Sequence, residues 1–332
     1  MSTNNVVTPR GIPGAVRILN VESIRVFAGS GGVQFADAMC AELGVPRSEA
    51  RLQRFANDCL QVQLMENVRE RDVYLVQPIV APTQENLVEL LLMIDAARGA
   101  SARRVTAVMP HFAYARSDKK DASRISIGGR LVADMLSAAG VSRVLTMTLH
   151  APQVHAFFRV PVDQLHALTT LADHFRNGGL PNTTVVSPDL GNAKSASKFA
   201  KLLDTPVAAG AKERFEGDRV EISHLIGDVK DRDVIVLDDE IANGTTILAI
   251  LDKLEQHGAR KISIACTHGI FSNGALERIG DDPRVHEIVT TDTVPHTLSF
   301  THPKLTVLSV APAFAEAVRR IHSGESVSVL FS

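Results

Sequence analysis

Residues 234–247 read VIVLDDEIANGTTI, and the fold of the chain can be worked out from this stretch. Its first four residues, 234–237, are apolar and mostly β-branched, which predicts a buried strand. Two adjacent carboxylates, Asp238 and Asp239, stand at the predicted carboxyl end of that strand, and residues 243–246 then open a helical pattern. The order is therefore strand, acid pair, short loop and helix.

The loop at 243–246 has the composition of a phosphate site. A helix N-terminus offers unpaired backbone N–H groups and a positive dipole end, and Gly244 lets a ligand approach the main chain closely. Thr245 and Thr246 add hydroxyl donors. Carboxylates one loop away can bind sugar hydroxyls, directly or through Mg²⁺. The stretch predicts a site for a phosphorylated sugar, while an ordinary strand-to-helix turn beside an Asp pair is the alternative.

Length and composition limit the number of domains and the classes of function that the chain can have. A chain of 332 residues with 45% hydrophobic content predicts about two domains with packed cores. Its net charge of −2 gives no long-range attraction to nucleic acid or to an acidic membrane. The sequence has no apolar run of membrane-spanning length and no signal-peptide core at its N-terminus, so we expect a cytoplasmic protein. The three cysteines lack metal-type spacing and are expected to be buried, reduced thiols.

Apolar runs and helical periodicity alternate along the chain. Strands are predicted at Ile24–Ala28, 72–77, 105–109, 144–149 and 184–186, with a half-buried strand at Leu60–Leu64, and helices at Thr83–Gly99, Gly128–Ala139 and 194–203. This alternation predicts parallel βαβ units and therefore an α/β fold. We expect a flexible arm at 1–20, one domain at 21–165 and a second at 166–332, whose tail packs back on the first.

Two further segments have sequences that suit a bound anion but that also occur in ordinary turns and loops. The turn at 29–32, Gly-Ser-Gly-Gly, follows a strand, and an anion loop and simple turn chemistry are equally good interpretations of it. Residues 111–124, HFAYARSDKKDASR, are dense in charge, which usually indicates a solvated loop. Their position after a strand of an open α/β sheet favours a polyphosphate site.

Residues 238–246 resemble the ribose-phosphate loop of the phosphoribosyltransferase superfamily. The pattern there is two acids, two apolar residues, and then Asp-Thr-Gly-(Gly or Arg)-Thr. Ala242 stands in place of the third Asp, which touches the ribose near its reacting carbon in that family. The resemblance implies a ribose-phosphate site formed by Asp238, Asp239, Asn243, Gly244, Thr245 and Thr246.

More specifically, the chain resembles the ribose-phosphate diphosphokinases, or phosphoribosyl pyrophosphate synthetases. Residues 114–120, YARSDKK, are similar to the Tyr-Ala-Arg-Gln-Asp-Arg-Lys of that family, and residues 148–158 to its Asp-Leu-His-Ala-x-Gln-x-x-Gly-Phe-Phe. Residues 55–59, FANDC, stand where the family has Phe-Ala-Asn-Gly-Glu, a segment that helps bind the adenine of a neighbouring subunit's ATP. The resemblance implies an ATP site formed by Asn57, Arg116, Ser117, Asp118 and Lys119.

The resemblance also implies metal and catalytic residues. His150 matches the family's histidine linked to Mg²⁺ and ATP, and Asp189 matches an aspartate of a second Mg²⁺ site. From the residues alone, Asp189 is equally suited to cap the helix that follows. Lys212 and Arg214, in the segment 210–215, match the cations of a mobile loop that stabilise charge on the transferring diphosphoryl group.

The resemblance covers residues 24–332 and implies two tandem phosphoribosyltransferase-type (Rossmann-like) domains, each a mostly parallel sheet flanked by helices, with ATP between them. The expected reaction moves the diphosphoryl group of ATP to ribose 5-phosphate and gives phosphoribosyl diphosphate and AMP, with Mg²⁺ as cofactor. Dimers or hexamers regulated by ADP and phosphate are expected. Because several motif positions depart from the family, a catalytically impaired paralogue that regulates or co-assembles with an active synthetase is the alternative hypothesis. The departures are Cys59, Ser117, Thr148, Leu190, Ala242 and Asn243.

Overall fold

The computed structural model of the protein describes residues 23–214 and 220–330, without the side chains of 212–214, 220, 221 and 298. The predicted arm at 1–20 lies outside these ranges. Within them, no helix is both long enough and apolar enough to cross a membrane.

The first half of the chain builds a five-stranded parallel sheet. Its elements are, in chain order, β1 (Ile24–Ala28), α1 (Val33–Leu43), β2 (Ala50–Arg54), β3 (Leu60–Leu64), β4 (Asp72–Val76), α2 (Thr83–Gly99), β5 (Arg104–Met109), α3 (Gly128–Ala139), β6 (Arg143–Met147) and β7 (Val162–Leu165). The strand order is β1-β4-β5-β6-β7, and every pair is parallel. Strand β4 is buried along its whole length because helices cover both faces of the sheet. The predicted parallel βαβ units are confirmed.

Strands β2 and β3 form a separate antiparallel hairpin outside this sheet. The strand predicted at Leu60–Leu64 is confirmed, and its residues alternate between partly buried and exposed. Strand β2 was not predicted, because its polar, largely exposed residues carry no clear apolar period. Cys59 is exposed at the hairpin turn, so the expectation of buried thiols holds for Cys40 and Cys266 and is wrong for Cys59.

The second half builds a seven-stranded sheet. Its elements are α4 (Leu168–Asn177), β8 (Thr183–Ser187), α5 (Ala193–Leu203), β9 (Val207–Arg214), β10 (Val220–Ile226), β11 (Asp233–Ile241), α6 (Thr245–Gln256), β12 (Ile262–Gly269), α7 (Ala275–Gly280), β13 (Val285–Thr291), β14 (Leu305–Leu308) and α8 (Ala311–Ser323). The order is β10-β9-β8-β11-β12-β13-β14, parallel except for the antiparallel pair β9 and β10. Segment 210–214, expected in a loop, is instead the end of β9.

Strand β11 extends further than the sequence predicts. It continues to Ile241, because β12 pairs with it as far as Gly269, so Asp238 and Asp239 lie within the strand and not beyond it. Asp238 stands opposite Cys266 and Glu240 opposite His268. Helix α6 then begins at Thr245, after Gly244 in a left-handed conformation with φ of 76°.

One apolar core is shared by both sheets. The faces that the two sheets turn towards each other pack on α1, α4, α5 and α8, whereas α2 and α3 cover the other face of the first sheet and α6 and α7 that of the second. The rings of Phe35 in α1 and Phe314 in α8 meet edge to face, with centroids 5.1 Å apart. The last described α-helix is thus packed against the first. The domain boundary at residue 165 remains a prediction.

Candidate active site

A cleft lies at the carboxyl edge of the second sheet, where loops from the carboxyl edge of the first sheet reach it. Open α/β sheets bind ligands at this edge. The cleft encloses a small cavity of about 70 Å³. Its lining comes from both halves of the chain and consists of Arg116, His150, Asp189, Asp238, Asp239, Glu240, Ile241, Ala242, Asn243, Gly244, Thr246 and Ile247.

His150 and Asp239 join the two halves across the cleft. His150 follows β6, and its Nδ1 lies 2.7 Å from Oδ2 of Asp239. This hydrogen bond raises the pKa of His150, although burial opposes the effect. Burial also opposes ionisation of Asp239, but the hydrogen bond and charge of His150 prevail and lower the pKa of Asp239. The contact therefore favours the charged forms of both groups, the imidazolium of His150 and the carboxylate of Asp239.

Asp238 has the opposite electrostatic environment. It reaches the cleft but is otherwise surrounded by protein, and this burial raises the pKa of Asp238 well above its usual range. The negative charges of Asp239 and Asp189 add to the effect. A buried carboxyl group beside two further acidic side chains, Asp239 and Asp189, is a place where a cation would be stabilised.

Glu240 is a further carboxylate of the cleft that sequence reasoning missed. Its side chain is 8% exposed, and its Oε2 lies 3.1 Å from Nε2 of His111. Its Oε1 lies 3.0 Å from the guanidinium of Arg116. Burial opposes ionisation, but the bond to His111 and the positive charge of Arg116 lower the pKa of Glu240. A signal was available, because Glu240 occupies the first of two positions where the ribose-phosphate pattern has apolar residues.

His268 was also not predicted, and it supports the cleft from below. Its Nε2 lies 3.0 Å from the carbonyl oxygen of Thr148, and its Nδ1 lies 2.9 Å from the hydroxyl of Thr293. Burial, followed by the nearby His111, lowers the pKa of His268 to about 4, so this imidazole is neutral. Thr148, which stands where the family motif has Asp, is therefore held through its main chain, with φ of 40°.

The loop at 243–246 is ordered by its own side chains. Oδ1 of Asn243 accepts hydrogen bonds from the hydroxyl of Thr245 at 3.0 Å and from its N–H at 3.3 Å. The carbonyl of Asn243 accepts one from Arg278 at 2.6 Å. Asn243 thus stabilises the turn through its side chain. Thr246 lines the cleft and Thr245 does not.

Asp189 has a structural contact as well as a place in the cleft. Its Oδ1 accepts the N–H of Asn192 at 3.0 Å, and because Asn192 directly precedes α5, this bond orders the turn that leads into the helix. Asp189 also lines the cleft with His150, as the metal interpretation requires. Within 23–214 and 220–330, no group of three or more His, Cys, Asp and Glu side chains is arranged to hold a metal ion. A metal here would need ligands from a substrate as well.

The five residues predicted to bind ATP are dispersed. Arg116 lines the cleft. The hydroxyl of Ser117 accepts the N–H of Gly128 at 2.8 Å where α3 begins, and Asp118 accepts a hydrogen bond from Gln153. Lys119 is exposed beside Asp121, and Asn57 is exposed at the turn of the β2–β3 hairpin. The structure therefore gives Ser117 and Asp118 structural partners that the sequence did not indicate.

Two other predicted features can be placed. Lys212 and Arg214 belong to β9, but their side chains lie outside the described part of the protein. At the turn 29–32, the N–H and hydroxyl of Ser30 both donate to the buried carboxylate of Glu89. This turn does bind an anion, and the protein itself supplies it.

Comparison with known proteins identifies the family. Residues 24–140 match the model of the N-terminal domain of ribose phosphate pyrophosphokinase, and residues 218–332 match that of the phosphoribosyl synthetase-associated domain. Over 311 residues the chain is 65% identical to a Streptomyces coelicolor protein, covering 94% of this chain and 98% of that one. It is 46% identical to the ribose-phosphate pyrophosphokinase of Deinococcus radiodurans, with coverage of 92% and 97%.

A solved structure agrees with these sequence matches. The phosphoribosylpyrophosphate synthetase of Mycobacterium smegmatis superposes with a TM-score of 0.85 at 36% identity, and the match covers 91% of this chain and 99% of that one. The match therefore extends over nearly the whole of both chains. The chain therefore belongs to the ribose-phosphate pyrophosphokinase family, and its two sheets are the tandem phosphoribosyltransferase-type domains expected from the sequence.

Proposed function

We propose that the protein is a ribose-phosphate diphosphokinase, which transfers the β,γ-diphosphoryl group of ATP to the anomeric hydroxyl of ribose 5-phosphate and releases AMP. The observation that carries the proposal is the cleft itself. It places an acid pair and a phosphate-sized loop of the second domain directly opposite Arg116 and His150 of the first. The nearly complete coverage of family members supports it.

Ribose 5-phosphate is assigned to the second domain. The N-terminal amides of α6, together with Gly244 and the hydroxyl of Thr246, bind the 5-phosphate. Asp238 and Asp239 accept hydrogen bonds from the ribose hydroxyls. Asn243 acts on this site by shaping the turn, and Thr245 acts through its main chain, because its hydroxyl already donates to Asn243.

ATP is assigned to the first domain and the mouth of the cleft. Arg116 binds the polyphosphate, for which a planar guanidinium is well suited. Lys119 adds positive charge, Ser117 and Asp118 hold the segment in shape, and Asn57 contributes from the exposed hairpin. In the reaction, the anomeric oxygen of the ribose bonds to the β-phosphorus of ATP and its hydroxyl proton is released to water. The bond from that phosphorus to the α-bridging oxygen breaks, and AMP leaves with that oxygen. Lys212 and Arg214 stabilise the charge that develops on the transferring group.

The cleft suits Mg²⁺ as the cofactor. Magnesium is usually held by one or two carboxylates together with substrate phosphates and water, so a site without a complete protein cage is the expected kind. Asp189 and His150, which both line the cleft, would hold the ion, as the sequence predicts. The raised pKa of Asp238, caused by burial and by the charges of Asp239 and Asp189, indicates that a cation belongs there. When bound, Mg²⁺ would neutralise phosphate charge.

The remaining assignments follow the same family. We assign the protein to the cytoplasm as a homodimer or hexamer, with ADP and phosphate as candidate effectors. The alternative is an impaired paralogue that regulates or co-assembles with an active synthetase. It is not favoured, because the relatives are named as enzymes and this chain matches them over nearly their full length.

The test is an assay of AMP release from the purified protein with ATP, Mg²⁺ and ribose 5-phosphate. We expect turnover that requires all three components. Binding of ATP without turnover, combined with co-purification of an active homologue, would support the paralogue instead. In that case the Ala242→Asp variant should gain activity, because it restores the acid expected beside the reacting carbon.

A further inference from the structure

Glu240 has two partners, and both belong to the other half of the chain. Its Oε2 meets Nε2 of His111 at 3.1 Å, and its Oε1 meets Arg116 at 3.0 Å. The Glu240 and His111 side chains are 8% and 5% exposed, whereas that of Arg116 is 45% exposed. A carboxylate buried this deeply is stable only when it is paired. The buried end of the contact is therefore fixed, and the exposed end is the guanidinium at the cleft.

The contact between His111 and Glu240 requires a proton on one of the two side chains. Nδ1 of His111 lies 2.9 Å from the carbonyl oxygen of Ile79, so Nδ1 carries a hydrogen that it donates to this carbonyl. A neutral imidazole of this tautomer would present a lone pair at Nε2 towards Glu240. The 3.1 Å contact is favourable only with a second proton, either on Nε2 or on the carboxyl group. His111 thus anchors one oxygen of Glu240 and leaves the other to Arg116.

This arrangement departs from the pattern of the ribose-phosphate loop. That pattern has an apolar residue where Glu240 stands and an Asp where Ala242 stands. In this chain a carboxylate stands two positions earlier, and both of its partners, His111 and Arg116, belong to the first half of the chain. This acid is therefore in a position to act on the nucleotide side of the cleft.

We propose that Glu240 is a positioning residue that holds the guanidinium of Arg116 in the orientation that binds the polyphosphate of ATP, with His111 fixing the Glu240 carboxylate from behind. This inference rests on the proposed function, because that function assigns Arg116 to ATP. A half-exposed arginine has many rotamers, and a fixed acceptor removes that freedom before the ligand arrives. A carboxylate that merely competed with phosphate for Arg116 would have the opposite effect and weaken ATP binding.

Three variants separate these effects. Glu240→Gln keeps a carbonyl oxygen for Arg116 and an N–H for His111 but removes the charge. Glu240→Met removes both hydrogen bonds. Glu240→Met combined with His111→Phe removes both buried members of this contact, so neither is left unpaired, which protects the fold. The carbonyl of Ile79 keeps a second donor, the N–H of Ala113 at 3.3 Å.

The measurement is the Kd of ATP with Mg²⁺ by calorimetry, without ribose 5-phosphate, together with the KM of each substrate. We expect Glu240→Met and the double variant to weaken ATP binding about tenfold, as expected for loss of one charge-assisted hydrogen bond, and to leave the KM of ribose 5-phosphate unchanged. Glu240→Gln should retain most of the affinity. In an Arg116→Ala background, Glu240→Met should have no further effect, because Glu240 acts through Arg116.

Two results would overturn the proposal. One is ATP binding by a folded Glu240→Met protein that equals or exceeds that of the unaltered protein. The other is an equal loss in the presence and absence of Arg116. Failure of the proposed function can be distinguished from failure of the Glu240 proposal. If ATP binds but no AMP is released, the proposed function fails, and the calorimetric comparison of the variants still tests the role of Glu240. A protein that binds no ATP at all would overturn both proposals.

Discussion

His150 Nδ1 donates a hydrogen bond to Asp239 Oδ2 across 2.7 Å, and this contact connects the loop after β6 to strand β11. A carboxylate assigned to the sugar is thus oriented by a residue of the domain assigned to the nucleotide. The two substrate sites are joined by a direct contact between side chains. Substitutions on one side of the cleft should therefore be measured against both substrates.

Asp239→Asn should separate charge from geometry at this contact. The amide oxygen still accepts from His150, so the fold should be retained, but the negative charge is lost. We expect kcat/KM for ribose 5-phosphate to fall by about tenfold to a hundredfold, with an unchanged melting temperature. The AMP-release assay measures this. Activity equal to that of the unaltered protein would remove Asp239 from the sugar site.

The two threonines of the ribose-phosphate loop should respond differently to the same change. Thr246→Val removes a hydroxyl that lines the cleft and should raise the KM of ribose 5-phosphate about tenfold. Thr245→Val removes a hydroxyl that already donates to Asn243, and it should change that KM far less. Equal effects would contradict the assignment of Thr246 to the phosphate.

Gly244→Ala should strain the ribose-phosphate loop and also weaken binding of the ligand. Gly244 has φ of 76°, and an added Cβ would lie 2.9 Å from Cδ1 of Ile279. Gly44→Ala is a matched control, since Gly44 has φ of 71° with nothing within 4 Å of an added Cβ. The left-handed backbone alone should destabilise each variant by about 1–2 kcal/mol in chemical denaturation. Only Gly244→Ala should also weaken binding of ribose 5-phosphate, and similar kinetics for both variants would refute the prediction.

His268 should make stability fall as the solution is acidified. Burial and the nearby His111 lower the pKa of His268 to about 4 in the folded protein, from the ordinary value of 6.5 in the unfolded chain. Between these values the unfolded chain takes up a proton that the folded chain does not. The contribution is complete above pH 6.5 and is lost as the pH falls to 4, on the order of 3 kcal/mol. In urea titrations, His268→Gln should flatten this part of the stability profile, and an unaltered slope would count against the prediction.

Asp72 should be important for holding α8 in place. It is 3% exposed and accepts hydrogen bonds from Nδ1 of His322 at 2.6 Å and from Nε of Arg104 at 2.8 Å. Burial opposes ionisation, but these two bonds prevail and lower the pKa of Asp72. Asp72→Asn should reduce the free energy of unfolding by about 2–3 kcal/mol. The control, Asp134→Asn on an exposed helix pair with Arg130, should leave the melting temperature unchanged, and equal behaviour of the two variants would be a negative result.

Much of the fold could be predicted because the parallel strands are buried on both faces. The ends of continuous apolar strands such as β4 and of periodic helices such as α2 can be predicted from the local sequence. Strand β2 lacked that signal because most of its residues are exposed. The extension of β11 through Asp238 and Asp239 depends on pairing with β12, which no local pattern contains.

The candidate site was predicted where its residues lie close together in sequence. The acid pair and the loop at 243–246 are contiguous, and the structure places them on one cleft. Glu240 and His111 are separated by 129 residues, so their contact becomes visible only after the two domains are assembled. The partners of Ser117 and Asp118 are likewise set by tertiary packing, which explains why their structural contacts were not predicted.

Helix α1 is synthesised early, while α8, which covers it through Phe35 and Phe314, is the last described α-helix to leave the ribosome. At translation speeds of roughly 5–20 residues per second, the nascent first domain leaves this apolar surface uncovered for tens of seconds. Chaperones that shield emerging chains would act during this interval. A nonsense mutation just before α8 would therefore damage the domain that was made first, although every one of its own residues had been translated.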